Sequence, residues 1–453
     1  MINLIGEDEY LLLERSYSDD NVRALRLNTL KKIPDDAANL VSLFSLEKMS
    51  RHETGYYFGS DVFPGRSPFH DAGAYYIQDP GAMIPAGLLI ESRHFAPEKK
   101  MKILDLCASP GGKSTQIADA MKGEGLLVCN EINRSRAEVL SQNIERMGIT
   151  NAIVTNESPS KLAEYFEGYF DAVIVDAPCS GEGMFRKDPG AVSEWSPENV
   201  EICIERQRQI LDEAYKMLRP GGVLVYSTCT FERGENEDTV AAFLSAHPDM
   251  KTEDTSFFKD KAEGLSDGLA GMTDTVRVWP MHFRGEGQFA ALMVKEGDGE
   301  GGISLKGYEM PSVIKDKKIL ESFLKDNLKE DAAGKIRASE KRFRLFGDNL
   351  YIMPENAPGL SGLKVLRNGL HLGTFKKDRF EPSHAFALSL EESDVRCFVR
   401  ISEDAAEEYV HGMTLEGEGS GWCLVTACGY SIGWGKASGG RIKNHYPKGL
   451  RIQ

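Results

Sequence analysis

No run of apolar residues in this chain approaches the roughly 18 that a membrane-spanning helix needs. The opening stretch, MINLIGEDEYLLLERSYSDD, is acidic and has no basic start, so it does not read as a signal peptide. The eight cysteines are scattered, with no C-x-x-C pair and no Cys/His finger spacing. That excludes a zinc-finger module and fits a reducing, cytoplasmic setting. His384 and the other histidines form no ligand cluster, so no metal site is expected. Internal repeats and low-complexity tracts are absent as well. So is an excess of positive charge: 69 acidic against 54 basic residues leave a net charge of −15. This argues against a nonspecific nucleic-acid binder, whose footprint is usually basic.

What is present is an ordinary globular composition, 41% hydrophobic and 27% charged, spread over 453 residues. At about 150 residues per domain the chain needs around three. The positive charge it does have is uneven. Its last 18 residues carry Lys436, Arg441, Lys443, Lys448 and Arg451 and no acid. LRNGLHLGTFKKDRF is also locally basic. Such segments form either a solvated face or a phosphate-binding one.

Residues 1–96 are mixed, with RALRLNTLKK reading as a helix. From 97 to 296, apolar runs alternate with amphipathic ones: MKILDLC, GLLVCNE, NAIVTN, YFDAVIVDAPC and GGVLVYSTC as strands, with helices between them. This pattern predicts a parallel sheet covered on both faces. TVRVWP and QFAALMVKEG read as a closing antiparallel hairpin. EGDGEGG, 296–302, is a linker by composition. A third segment, 303–392, begins with a helix, DKKILESFLKDNLKED, and carries a hairpin signal at Asn368-Gly369. The last segment, 393–453, has one helix, EDAAEEYVHG, and short strands.

CASPGGKST ends the first strand of the alternating region. A phosphate-binding P-loop would need glycine at position 107, where a cysteine stands, and the dinucleotide fingerprint needs three spaced glycines where only two adjacent ones occur. The flanks still describe a strand turning through a glycine-rich loop into a helix, with Ser114 as its N-cap. Such a turn points backbone N–H groups at a polar ligand.

Glu131 ends the second strand, 24 residues after Cys107, where an acid accepts hydrogen bonds from ribose hydroxyls in nucleoside-binding folds. Asn156 ends the third strand and is placed to reach an adenine edge. DAPCSGEGMFRKDP follows the fourth strand and STC ends the fifth. Asp176, Cys179 and Cys229 therefore sit at the carboxyl ends of strands, where open α/β sheets bind ligands. Most lone cysteines, such as Cys129 or Cys203, are small buried hydrophobes. Two beside an aspartate can form a thiolate nucleophile. These residues alone do not say which of the two attacks.

CASPGGK, DAPCSGEG and YSTCTFERGENE, in that order, resemble motifs I, IV and VI of the RNA cytosine-5 methyltransferases of the RsmB/RsmF and Nol–Nop–Sun group. RLNTLK and YYIQDPGAMIPAGLL resemble the N-terminal module of that group. FRLF, GLKVLRNGLHLGTF and GYSIGWGK resemble its RsmF branch, and the likeness covers nearly the whole chain. The resemblance implies a Rossmann-like class I core that uses S-adenosylmethionine (97–296), an N-terminal α/β module (1–96), and C-terminal α+β domains. These last are an RsmF-type first C-terminal domain (303–392) and a PUA-like RNA-binding domain (393–453). It implies action on RNA, 16S rRNA or the 30S subunit; a cytoplasmic protein with no DNA or membrane partner is expected, with a monomer as the default.

The implied reaction is methyl transfer to cytosine C5. Cys229 attacks C6, and Cys179 helps release the product. Asp176 binds the N3/N4 edge, and Lys113 supports that network. The backbone of Cys107, Ala108, Ser109, Pro110, Gly111, Gly112 and Lys113 lies against the methionine part of the cofactor. Glu131 takes its ribose and Asp176 borders the cofactor. One of Asn156, Glu157 and Ser158 flanks the adenine, where the family often has aspartate. A tRNA substrate, and a non-catalytic ribosome-assembly factor keeping the fold, are the alternatives; both retained cysteines argue against the second. An adenine amino-methyltransferase would show a Pro-Pro-aromatic motif where this chain has DAPC.

Overall fold

Apolar runs between residues 102 and 228 build the centre of the molecule, and a small sheet precedes them. In the computed structural model, which describes residues 1–31, 37–299, 302 and 306–451, that first sheet comprises β1 (Ala24–Leu27), β2 (Glu47–Lys48), β3 (Gly55–Tyr57) and β4 (Tyr75–Ile77). Its order is β2-β3-β1-β4. RALRLNTLKK is therefore not a helix. All four residues of β1 are buried, Arg26 included, so the polar side that normally marks a strand is missing and the segment imitates a helical repeat. Its final residue, Lys32, lies outside the described residues.

The alternating region forms β5 (Lys102–Asp105), β6 (Leu126–Asn130), β7 (Ala152–Thr155), β8 (Phe170–Asp176) and β9 (Leu218–Thr228). They are paired in parallel in the order β9-β8-β5-β6-β7. Successive residues alternate between two cores. Ile103, Leu127, Val154 and Ile174 pack with the helices Ile84–Glu91, Gly112–Met121 and Arg134–Arg146. Leu104, Val128, Ile153 and Val173 pack with Pro159–Tyr165, Pro197–Met217 and Glu237–Ala246. Three antiparallel strands follow the short β10 (Met250–Thr252): β11 (Leu265–Asp267), β12 (Thr275–Val278) and β13 (Gln288–Lys295). They add the order β11-β12-β13 beside β9, while β10 pairs with β13. The expected closing pair, β12 with β13, is antiparallel. Of the linker 296–302, residues 300 and 301 lie outside the described residues, and Gly302 N donates to Gly168 O at 2.6 Å. Residues 303–305, where the third segment was expected to start, also lie outside.

The expected single helix of the third segment is two, Lys317–Asn327 and Glu330–Ala338, separated by an extended Leu328. The strands after them are β14 (Phe343–Phe346), β15 (Asn349–Ile352), β16 (Val365–Asn368), β17 (Leu370–Phe375) and β18 (Phe380–Pro382). Asn368-Gly369 is not a hairpin. β16 pairs antiparallel with β7 of the large sheet, and β17 joins the separate sheet β14-β15-β17-β18. Gly369, at φ +72°, turns the chain from one sheet into the other. The last sheet, β19 (Phe398–Ile401), β20 (Leu415–Glu416), β21 (Gly421–Ala427), β22 (Tyr430–Ser438) and β23 (Arg441–Asn444), has the order β19-β21-β22-β23-β20. Against the expectation of reduced cysteines throughout, Cys397 and Cys423 are joined as a disulfide, because parallel pairing of β19 with β21 brings their backbones within 4.8 Å.

The first and last modules share one core: Leu25, Phe69 and Tyr75 pack with Tyr409, Ile432 and Tyr446. The first module meets the end of the helix Arg134–Arg146. Arg146 donates to the carbonyls of His70 at 2.7 Å and Tyr75 at 3.2 Å, and Asn28 Nδ2 donates to Gly73 O and Met147 O. Among the described residues, no helix is long and apolar enough to cross a membrane.

Gly73 has φ +67°, and a Cβ there would lie 1.9 Å from Arg146 O. Gly73→Ala should therefore destabilise the protein by well over 1 kcal/mol, whereas Gly271→Ala, at φ +82° in open space, incurs the backbone cost alone. Denaturant midpoints of the two variants, read beside protease sensitivity near residue 80, test this.

Candidate active site

The loop after β5 is held open by glycine and clamped from outside. Gly111, at φ +113°, is the N-cap of the helix Gly112–Met121. Ser114 is not the cap. It lies inside the first turn, fully buried, and donates to Asp105 Oδ2 at 2.6 Å. A Cβ on Gly112 would come within 3.1 Å of Gln78. Ser109 exchanges hydrogen bonds with Arg136, and Asn143 Nδ2 donates to Pro110 O at 2.9 Å. Ala108 N donates to Asn130 O. The Cys107 thiol is pushed up by burial, with Asp105 and Asp176 adding to it. The N–H groups at the start of the helix have no intrahelical acceptors and line the rim of the crevice above β5.

Glu131 stands on the same rim. Its Oε1 accepts from Asn133 N at 2.8 Å, and Arg136 lies 3.6 Å from Oε2. Asn156 uses both amide hydrogens on the carbonyls of Glu131 and Ile132, and so shapes this corner through Nδ2. Glu157 Oε1 accepts from Lys364 N, and Ser158 caps the following helix.

Lys113, Asp176, Cys179 and Cys229 come together. Lys113 Nζ donates to Asp176 Oδ2 at 2.6 Å, and Asp176 Oδ1 accepts from Ser227 Oγ at 2.7 Å and Gln288 Nε2 at 3.4 Å. Burial alone would lower the Lys113 pKa. Asp176, Asp105 and Cys229 outweigh it, and the ammonium is held above its usual value. The Sγ atoms of Cys179 and Cys229 are 3.3 Å apart. Cys179 is held well above the thiol range, first by its bond to Cys229 and then by burial. A thiol beside a prospective thiolate can serve as its proton donor.

Several residues at the centre were not singled out from the sequence. Glu235 accepts from Ser180 N at 3.1 Å and from Gln207 Nε2 at 2.7 Å, which fixes the loop carrying Cys179; burial raises its pKa. It lies inside FERGENE, and the acid-rich run was its only signal. Glu182, raised to about 7 by burial and Glu232, accepts from Phe231 N. Gly183 N donates to Cys229 O at 2.9 Å. Arg26, 1% exposed, donates to Gln78, to Gly112 O and to Thr115, so the first module holds the start of the loop's helix. Among the described residues, no group of three or more His, Cys, Asp or Glu could hold a metal.

Four family models match the chain in order. They are the N-terminal domain of 16S rRNA methyltransferase RsmF over 1–80, 16S rRNA methyltransferase RsmB/F over 93–294, the RsmF rRNA methyltransferase first C-terminal domain over 322–390, and the methyltransferase RsmF PUA domain over 397–452. The chain is 32% identical to ribosomal RNA small subunit methyltransferase F of Aeromonas salmonicida, covering 94% of this chain and 90% of the relative. It is also 32% identical to the protein of that name from Vibrio vulnificus, with coverage of 94% and 91%. Two solved structures from Pyrococcus horikoshii share the fold, each with TM-score 0.55. A methyltransferase homolog protein is 23% identical and covers 65% of this chain and 92% of that one. NSun6, solved with SFG, is 22% identical and covers 66% and 97%.

Burial raises the Asp105 carboxyl to about 7, with Ser114 and Lys113 opposing it. An unfolded Asp titrates near 3.9, so between those values only the unfolded state is ionised. The stability contributed is full below about pH 4 and lost as pH rises to about 7. Asp105→Asn should gain on wild type by up to about 4 kcal/mol between pH 4 and 8. Unfolding free energies of both proteins across that range measure it, and a constant difference would refute the assignment.

Proposed function

The chain belongs to the family of ribosomal RNA small subunit methyltransferase F, and from that premise we propose that it methylates C5 of a cytosine in 16S rRNA through a covalent bond to Cys229. It is a methyltransferase of rRNA that depends on S-adenosylmethionine, with a PUA domain at its C-terminal end. The cytosine specificity and the covalent step are our reading. The observation that carries them is the pair of Sγ atoms 3.3 Å apart beside the Lys113–Asp176 contact.

S-adenosylmethionine, when bound, supplies an electrophilic methyl group. The residues present suit it: a loop whose glycines leave room beside backbone N–H groups, the buried acid Glu131 for the ribose, and a rim corner shaped by Asn156, Glu157 and Ser158. Asp105 Oδ1, buried without a partner, lies beneath the loop. C5 of cytosine is a poor nucleophile on its own. Cys229 Sγ adds to C6, the C5–C6 double bond opens, and its electron pair makes C5 nucleophilic. Asp176, held by Lys113 and Ser227, takes the N3/N4 edge and stabilises the protonated base. After C5 is methylated it still bears its hydrogen. Removing that proton re-forms the double bond and expels Cys229. Cys179, within reach of the adduct, passes its own proton to the departing Cys229 sulfur and takes the C5 proton in return.

C6 is hidden in a stacked duplex, so the base must be unpaired or extruded. We place the RNA-holding surfaces in the module up to residue 96 and in that from 393 onward, flanking the catalytic segment 97–296 and the segment 303–392. On the last sheet, Lys436 and Lys443 face each other in register and are exposed, with Arg441 beside them.

With Cys179→Ala, small-subunit RNA or 30S particles and S-adenosylmethionine should yield an adduct that survives a denaturing gel and disappears when Cys229→Ala is added. An adduct with tRNA in place of rRNA would move the substrate. RNA binding without any adduct would favour a non-catalytic assembly factor. Separately, Lys443→Glu should weaken RNA binding across sequences and lower the salt slope by about one. An unchanged slope would remove this face from the interface.

A further inference from the structure

A slot of about 340 Å³ opens between the N-terminal sheet and the loop that follows β8. Its apolar wall is unusually open to solvent, with Phe63 56% and Ile77 36% exposed. Three cations stand around it, Arg23, Arg66 and Lys187. Arg23 donates to Ser60 O, and Arg66 lies over the Phe63 ring at 5.2 Å. Among the described residues, none of the three has a carboxylate within ion-pair distance. Two buried arginines elsewhere are paired, Arg186 with Glu286 and Arg277 with Glu237. On a chain of net charge −15, three unpaired cations around one apolar slot suit a ligand with a flat body and negative charge.

Asp79 lies at the floor of the slot, 7% exposed. Its Oδ1 accepts from Gly81 N at 2.8 Å and Glu286 N at 3.1 Å, while its Oδ2 has no hydrogen-bond partner. Burial raises its pKa, against Lys187 and the backbone donors; it is a carboxylate short of donors. Asp79 lines the slot, and Oδ2 is its one acceptor oxygen without a partner. The slot is also tied to the cysteine centre. Cys229 O accepts from Gly183 N, Gly183 O accepts from Gly287 N at 3.1 Å, and the preceding Glu286 donates to Asp79.

We propose that this slot receives the base of a nucleotide neighbouring the target cytosine. Phe63 and Ile77 lie against its face, Asp79 Oδ2 accepts from its exocyclic amino group, and Arg23, Arg66 and Lys187 hold the adjoining phosphates. Base faces stack on exposed apolar side chains, and carboxylates accept from base amines. An amino-bearing base is favoured over uracil, whose carbonyl oxygens would face the carboxylate. The assignment rests on the cysteine pair being the RNA-modifying centre, and makes Asp79 a specificity-determining residue for the same reaction.

The test is fluorescence anisotropy with labelled single-stranded decamers of cytidine and of uridine, which differ at the amino position. Wild type should bind the cytidine decamer about fivefold or more tighter. Asp79→Asn should abolish the difference. Lys187→Glu should weaken both decamers and lower the salt slope by about one. Equal binding by wild type overturns the proposal. So does a preference that survives Asp79→Asn, because it then belongs to the target-base pocket. If Asp79→Asn does not fold, Phe63→Ala at its exposed position decides: a loss of about fivefold for both decamers supports the slot, and unchanged affinity rejects it. The covalent adduct, assayed on the same wild-type protein, reads the proposed function independently. A missing adduct with an intact base preference would reject that function and leave the slot standing as an RNA site.

Discussion

The helix Arg134–Arg146 links the glycine loop after β5 to the N-terminal module and to the segment that carries β16. At its start it clamps Ser109 and Pro110 through Arg136 and Asn143. At its end Arg146 holds the carbonyls of His70 and Tyr75, Asn28 caps Met147, and Glu145 pairs with Arg367 of β16. Glu145 is buried, which by itself would raise its pKa, but Arg367 and His384 reverse the shift and keep it ionised. A buried ion pair is poor evidence of net stability, yet removing one member leaves an uncompensated charge. Its role here is geometrical: it sets the register of β16 on β7. Because a helix is a stiff rod with a fixed rise, the position of the glycine loop and the pose of the surrounding modules cannot vary independently.

Within the crevice, two chemically identical thiols are given different surroundings. Cys179 sits on a loop tied to Glu235 and Gln207, in contact with Cys229 and close to an acid, which favours its protonated form. Cys229 directly follows β9 and interacts with Lys113, whose charge is sustained by Asp176 and Asp105. Glycines allow the close approach: a Cβ on Gly183 would lie 2.8 Å from both Cys229 O and Gly287 O.

The catalytic sheet was legible because its signals are local. β5 to β9 each read as an apolar run, and the residues at their carboxyl ends, Glu131, Asp176, Cys179 and Cys229, followed from strand ends alone. What escaped was set by contacts distant in sequence. β1 looked helical because Arg26 is satisfied 86 residues away at Gly112. Ser114 has the chemistry of a cap but is claimed by Asp105. Asn368-Gly369 has turn chemistry, and a turn does occur there, but its two arms belong to different sheets. Glu235 and Asp79 carry no spacing signal, since Glu235 is held by Ser180 N and Gln207 Nε2 and Asp79 is tied to Glu286 N, all far away in sequence.

The strand β16 does more than join a domain to the core. β7 would otherwise be the last strand of the parallel sheet, with a row of unpaired N–H and C=O groups facing solvent. Antiparallel pairing with β16 closes that row. An open parallel edge built of Ala152, Ile153, Val154 and Thr155 is a template for self-association. The C-terminal half therefore acts as a built-in cap against edge-to-edge polymerisation, and a catalytic segment cut away from it would be a protein with an adhesive side.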